Sequence, residues 1–353
     1  MEFKDIKYKQ WLKIYIPEAL CAFGDPYCIH VKKGDPHKLI FYFCGGGVSW
    51  DKESAKWPTS PETAARNHVG LYTICADPVP SLHSIEMNEN SGIHSTGDEN
   101  PFADWSEVMV PYATGDFHTG TGDLPFTAAD GSERILHHHG YLNLQKVLDL
   151  IKELFPQIDR LLICGESAGG FAVPALAGDV MDVYPDCEDV TILCDSAIVP
   201  YGDWSQTARE VWQCPPHIAN PVHSDNIVTD WFTALYEKYG SKPRYLFTCG
   251  NRDHVLMLFW HYVVDEQFIM EESYAVEFQK ALKKMIDAFK ALTPNFTIYI
   301  HDFMKEQLSP GVQHCIIGTP SYTQGVIDGV TPVKWLTDAM DGKLYDIGMD
   351  LLI

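Results

Sequence analysis

Acyl transfer needs a nucleophile, a base, a group that orients the base and donors for a developing negative charge. This chain offers a candidate for each, in one order along the sequence. The pentapeptide Gly165-Glu166-Ser167-Ala168-Gly169 follows the short apolar run 160–164 and precedes Gly170-Phe171-Ala172-Val173, which opens a segment able to wind into a helix. Strand, G-x-S-x-G and helix together put a serine on a sharp turn, with its hydroxyl exposed at the top of a sheet. The small flanking residues let neighbouring backbone approach closely. Ser167 is the candidate nucleophile.

A serine hydroxyl is a poor nucleophile at neutral pH, so partners are required. In a fold that presents serine this way, the acid and then the histidine follow it in the chain. The run 245–249 opens into Gly250-Asn251-Arg252-Asp253, which makes Asp253 the candidate acid. Asp195, just past the run 190–194, is its rival. Two histidines follow the last strand-like run, 296–300. His314 sits in the Gly/Pro loop Ser309-Pro310-Gly311-Val312-Gln313-His314-Cys315 and is the candidate base; His301 nearly belongs to the strand and is the alternative. Oxyanion donors are expected from the backbone of Ala168 and from the early loop Cys44-Gly45-Gly46-Gly47-Val48-Ser49-Trp50, through Gly47 and Val48. That loop lacks the Lys-Ser/Thr and G-x-G-x-x-G patterns of phosphate sites.

Gly46, Trp50, Asp116, His118 and Asp195 are the candidates for lining the substrate pocket. Asp116, His118 and the run His137-His138-His139 also invite a metal reading. Three successive histidines cannot all face one ion from a regular element, and no chelating His-x-x-x-His or Cys/His spacing accompanies them. No metal and no cofactor is expected. Tryptophans such as Trp50, Trp57, Trp204 and Trp212 suit core packing better than sugar stacking.

The elements that must position these groups read as strand-like runs at 39–43, 70–74, 108–112, 161–164, 190–194, 245–249 and 296–300. Their continuous apolar character suits strands covered on both faces. Helical spacing appears at 144–155, ending before Pro156, and at 273–292. Alternating elements of this kind predict an α/β protein with a mostly parallel central sheet, helices on both faces and long loop insertions. Neither a repeat nor a linker divides residues 1–353, so one domain is expected.

The 353 residues carry 26 Lys+Arg against 48 Asp+Glu, a formal charge of −22. Such a field repels nucleic acid, anionic membrane and polyanionic polymers, so neither a nucleic-acid nor a membrane partner is expected. The start Met1-Glu2-Phe3-Lys4 lacks the apolar stretch of a signal peptide, and the run 255–260 is too short to span a bilayer. The ten cysteines show no C-x-x-C pattern, and several end apolar runs as small buried hydrophobes. A cytoplasmic protein with reduced thiols is expected.

With these pieces in place, the chain resembles the pectin acetylesterase family from about residue 39 to about 318. That family places a Gly-Gly-Trp-Cys loop after its first core strand, answered here by Gly46-Gly47-Val48-Ser49. Its Asn-Pro-Phe segment and its Val-Pro-Tyr-Cys-Thr-Gly-Asp-x-His stretch correspond to Asn100-Pro101-Phe102 and the stretch 110–118. Its Gly-x-Ser-Ala-Gly-Gly elbow is matched by 165–170, its Asp-Ser-Gly in part by Asp195-Ser196-Ala197, and its histidine loop by Val312-Gln313-His314. The resemblance implies an α/β-hydrolase-like fold and a metal-free serine hydrolase acting on O-acyl esters of a glycan or other small hydroxylated compound. Val48 and Ser49 stand where the family has tryptophan and cysteine, so pectin itself does not follow as the substrate.

Overall fold

The computed structural model of the chain describes residues 3–75 and 91–352. An eight-stranded sheet forms its centre, in the spatial order β1-β2-β4-β3-β7-β8-β9-β10. The strands are β1 (Trp11–Leu20), β2 (Pro26–Lys32), β3 (Asp35–Phe43), β4 (Trp105–Val110), β7 (Arg160–Glu166), β8 (Asp189–Asp195), β9 (Arg244–Gly250) and β10 (Thr297–His301). β1 and β2 run antiparallel to their neighbours, and the remaining pairings are parallel. This is an α/β-hydrolase-like sheet. A separate hairpin, β5 (Gly122–Thr127) and β6 (Glu133–His138), lies apart from it.

Apart from the first four residues of β3, the parallel strands are buried along almost their whole length, as their apolar runs require. Helices α1 (Gly140–Leu154), α2 (Ala168–Val183), α3 (Ile227–Tyr239), α4 (His254–Asp265), α5 (Glu272–Leu292) and α6 (Pro332–Met340) connect or cover them. Among the described residues, none is long and apolar enough to cross a membrane. The helix α2 packs against β7, β8 and α3, and is buried at nearly every position of its first three turns. Pro174 lies inside it and cannot donate to the carbonyl of Gly170. The Cys194 thiol takes that place, its Sγ lying 3.2 Å from the Gly170 oxygen.

One expected strand is absent. The run 70–74 forms only isolated bridges at Tyr72, to Gly47 and Pro58. Its backbone is spent on loops: Leu71 N–H donates to the Trp57 carbonyl and Thr73 N–H to that of Gly46. The outer strands β1 and β2 were not anticipated. β1 mixes exposed, half-buried and buried residues and carries Pro17 and Glu18, both exposed, in its interior, so no continuous buried run marks it. Nine of the ten cysteines, all but Cys75, are buried.

Candidate active site

Ser167 occupies the turn between β7 and α2 with φ 53° and ψ −124°, a conformation strained for any residue with a side chain. The turn is held from both sides. Ser167 N–H donates to the Asp195 carbonyl at 2.9 Å, and the Ser167 carbonyl accepts from Phe171 N–H at 3.0 Å. Gly169 is a steric necessity, since a Cβ there would lie 2.0 Å from the Phe43 carbonyl oxygen. A Cβ on Gly45 would lie 2.8 Å from the Ser167 Cβ and 3.5 Å from its Oγ. The glycine loop therefore lies directly against the serine side chain.

That loop departs from expectation at Val48. Its N–H donates to the Leu71 carbonyl at 2.8 Å, so it is already committed and does not face an oxyanion. The cause is the short antiparallel bridge between Gly47 and Tyr72, closed by Val48 N–H donating to the Leu71 carbonyl and Thr73 N–H donating to the Gly46 carbonyl. Ser49 N–H is likewise committed, to the Gly115 carbonyl at 2.8 Å. Gly47 holds φ +80°, with Leu71 so close that a Cβ would meet its carbonyl oxygen at 2.0 Å. Gly47 and Ala168 remain as candidate donors on the two sides of Ser167.

Asp116 and His118 lie beneath the loop and do not line an open pocket. Asp116 is fully buried, and its carboxylate accepts from the N–H groups of His118, Gly120 and Gly140 and from the Thr114 hydroxyl. The His118 Nε2 is 3.0 Å from the Cys44 carbonyl, at the head of the glycine loop. Burial drives the His118 pKa down to about 4, so the ring is neutral and Nε2–H donates to that carbonyl. Trp50 is also buried, its ring edge-on to Tyr262 at 5.9 Å between centroids. Gly46 is wedged between Tyr112 and Thr73.

Asp253 and His314, sixty-one residues apart, meet. The His314 Nδ1 lies 2.7 Å from Asp253 Oδ2 and 2.9 Å from Oδ1. Asp253 is fully buried at the start of α4, where Oδ1 also accepts the N–H groups of Val255 and Leu256. A helix cap thus fixes the carboxylate before it reaches the imidazole. Burial pulls the His314 pKa down, but the charge and hydrogen bond of Asp253, with Asp195 and Glu166 behind, outweigh it and leave the pKa raised. His301, the alternative base, is buried at the end of β10, its ring stacked on Phe303. Neither of its ring nitrogens has a hydrogen-bond partner among the described residues.

Asp195 does not touch an imidazole. Its Oδ2 accepts the N–H groups of Ile316 and Ile317 at 2.7 and 2.9 Å, and Ser196 Oγ, which donates to its Oδ1, accepts Cys315 N–H at 3.1 Å. It anchors the segment that follows His314. Burial first, with the nearby Glu166 charge adding to it, raises the Asp195 pKa to about 7 despite those donors. Glu166 itself was legible only as the variable position of the elbow. In the fold it is buried, and one oxygen each from Glu166 and Asp195, with the Cys315 sulfur, lie within 4.8 Å of one another.

The sequence profile of the family described as Pectinacetylesterase matches residues 12–208, more than half of the chain. The chain belongs to the pectinacetylesterase family. The protein is accordingly a carboxylic ester hydrolase, and membership supports activity on acetylated carbohydrate. The pectinacetylesterase match takes in the glycine loop, the 110–118 stretch and the elbow, and ends before Asp253 and His314. No curated protein matches the chain.

Proposed function

We propose that the chain is a serine esterase that removes small O-acyl groups, acetyl foremost, from a carbohydrate or other small hydroxylated compound. The observation that carries this reading is the paired Asp253 and His314, on a loop anchored to the strand ends that bear the Ser167 elbow. In this mechanism Ser167 Oγ attacks the acyl carbonyl while His314 Nε2 takes its proton. Asp253 keeps the other ring proton on Nδ1 and stabilises the imidazolium. The N–H groups of Gly47 and Ala168 receive the tetrahedral oxyanion. His314 then returns the proton to the departing alcohol, leaving an acyl-Ser167 ester. Water, deprotonated by the same histidine, cleaves that ester and releases the carboxylic acid.

The net charge of −22 counts against a polyanionic polymer as substrate and favours neutral acetylated sugars or small compounds. A second reading is an esterase for longer acyl chains. It draws on α4, which begins at Asp253's own cap and leaves Val255, Leu258, Phe259 and Trp260 only half-buried. Hydrolysis of p-nitrophenyl esters tests both. Wild type is expected to hydrolyse the acetate and Ser167→Ala to fall to background, with the variant also refusing a fluorophosphonate probe. Equal turnover by the two proteins would remove Ser167 from the mechanism. Rates that climb from acetate to octanoate would favour the longer-chain reading.

A further inference from the structure

The hairpin β5–β6 carries a cluster that the ester chemistry does not use. Asp123 and His137 are direct cross-strand partners in its register, and His139 follows two residues after His137. Side chains two apart in an extended chain share a face. Asp123, His137 and His139 therefore project to one side of the hairpin, whereas His138 turns inward and is fully buried against the Thr114 carbonyl. The His137 Nδ1 lies 2.6 Å from Asp123 Oδ1, and the His139 Nε2 lies 2.9 Å from the same oxygen. Two imidazoles thus converge on a single carboxylate oxygen. Among the described residues, no lysine or arginine pairs with Asp123.

We propose that Asp123, His137 and His139 form a binding site for a divalent transition cation of the zinc type. Two imidazole nitrogens and one carboxylate oxygen are a mixed donor set that Zn²⁺ accepts readily, with a fourth position left to water. Their donor atoms already lie within 4.8 Å of one another. Bond lengths of about 2.0–2.2 Å around a tetrahedral ion would place the donors about 3.3 Å apart. The present separations of 2.6 and 2.9 Å need to open by about 0.4–0.7 Å. Asp123, whose side chain is 55% exposed, has the freedom to do so, and its exposure leaves the ion a way in. The field of a chain with formal charge −22 raises the local concentration of cations.

The position suggests a structural role. His139 immediately precedes α1, whose first residue, Gly140, donates its N–H to Asp116 at 2.8 Å. Asp116 also holds His118, which holds the head of the glycine loop. A cation joining Asp123 to His137 and His139 ties the hairpin to the start of that chain of contacts.

The three successive histidines cannot face one ion by themselves, since His138 points away from His137 and His139. Asp123 lies fourteen residues before His137 and joins His137 and His139 only through the hairpin register.

The test uses full-length protein purified without a histidine tag, stripped with EDTA and titrated with ZnCl₂ by isothermal calorimetry. Wild type is compared with Asp123→Asn and with the double variant His137→Ala/His139→Ala. The expected result is one more equivalent of Zn²⁺ bound by wild type than by the double variant, and at least tenfold weaker binding at this site in Asp123→Asn. The wild-type melting midpoint should rise with zinc, and those of the variants should not follow. Zinc held elsewhere, for instance by His314, is common to all three proteins and cancels in the comparison. Equal stoichiometry and affinity in all three, or no binding by wild type, would overturn the proposal. If the double variant does not fold in EDTA, the exposed Asp123→Asn change carries the comparison alone.

Discussion

The Asp253→Asn variant probes the candidate site with little disturbance of the fold. Asp253 Oδ1 caps α4 by accepting the N–H groups of Val255 and Leu256 at 3.1 and 3.0 Å, and an asparagine oxygen can keep both bonds. What changes is the other end of the group, which meets His314 Nδ1 at 2.7 Å. An amide nitrogen there is a donor, so it holds the imidazole with Nδ1 bare and the proton on Nε2. That tautomer cannot accept the Ser167 proton. A loss of about 10⁴ in kcat is expected, the scale seen when a triad carboxylate becomes an amide.

The pH dependence gives a second, independent readout. The wild-type His314 pKa is raised because Asp253's charge and hydrogen bond overcome burial. The variant keeps the burial and loses the charge. A general base works in its neutral form, so kcat/KM rises with pH through this pKa. The rising limb should therefore move to lower pH in the variant. Steady-state hydrolysis of p-nitrophenyl acetate from pH 5 to 9 measures both effects, with fluorophosphonate labelling rates as the check where turnover is too slow. A kcat within tenfold of wild type, or a limb that stays in place while the circular dichroism spectrum is intact, would refute the assigned roles of Asp253 and His314.

Two further outcomes concern the frame of the site. Asp195 has a folded pKa of about 7 against 3.8 for the free group, so its contribution to stability is fully present below pH 3.8 and is lost as pH rises through 7. Asp195→Asn lacks this term, and its melting midpoint relative to wild type should climb across that window; parallel curves from pH 4 to 7.5 would contradict the shift. Gly169→Ala forces a Cβ to within 2.0 Å of a backbone oxygen that cannot swing away, and should cost about 3 kcal/mol or more in chemical denaturation. Gly202→Ala, where nothing lies within 4 Å, should stay within about 0.5 kcal/mol of wild type.

Much of this architecture is legible along the chain because buried parallel strands must be apolar on both faces. The runs at 39–43, 161–164, 190–194 and 245–249 lie within strands of the sheet, and 296–300 does so in all but its first residue. The elbow is equally plain, since its steric demands translate into Gly165, Gly169 and Gly170 at fixed spacing. Legibility fails where a segment's hydrogen bonds go to a loop. The run 70–74 has the composition of a strand, yet its N–H groups are spent on Trp57 and Gly46. The same run takes up Val48 N–H as well, through the Leu71 carbonyl. Burial is the other blind spot. Asp116 and His118 look like pocket residues for their polarity, and only the fold reveals that they support the glycine loop from beneath.

The rivalry between Asp195 and Asp253 resolves into a division of labour. Asp195 ends β8 and Asp253 lies three residues past the end of β9, which is why either suits the acid by position. Asp253 reaches His314 because the cap of α4 aims it there, whereas Asp195 turns its carboxyl toward backbone. The backbone carbonyl of Asp195 holds Ser167 N–H, and its side chain holds Ile316 and Ile317 N–H. One residue therefore grips the turn bearing Ser167 and the loop bearing His314, two segments about 150 positions apart in sequence. The proposed reaction of Ser167 with His314 requires their separation to be kept to a few tenths of an ångström, and rigid short bonds from a shared residue meet that need better than contacts through mobile side chains. Such a clamp has to be buried to exclude competing water, and burial is also what lifts its carboxyl toward neutrality.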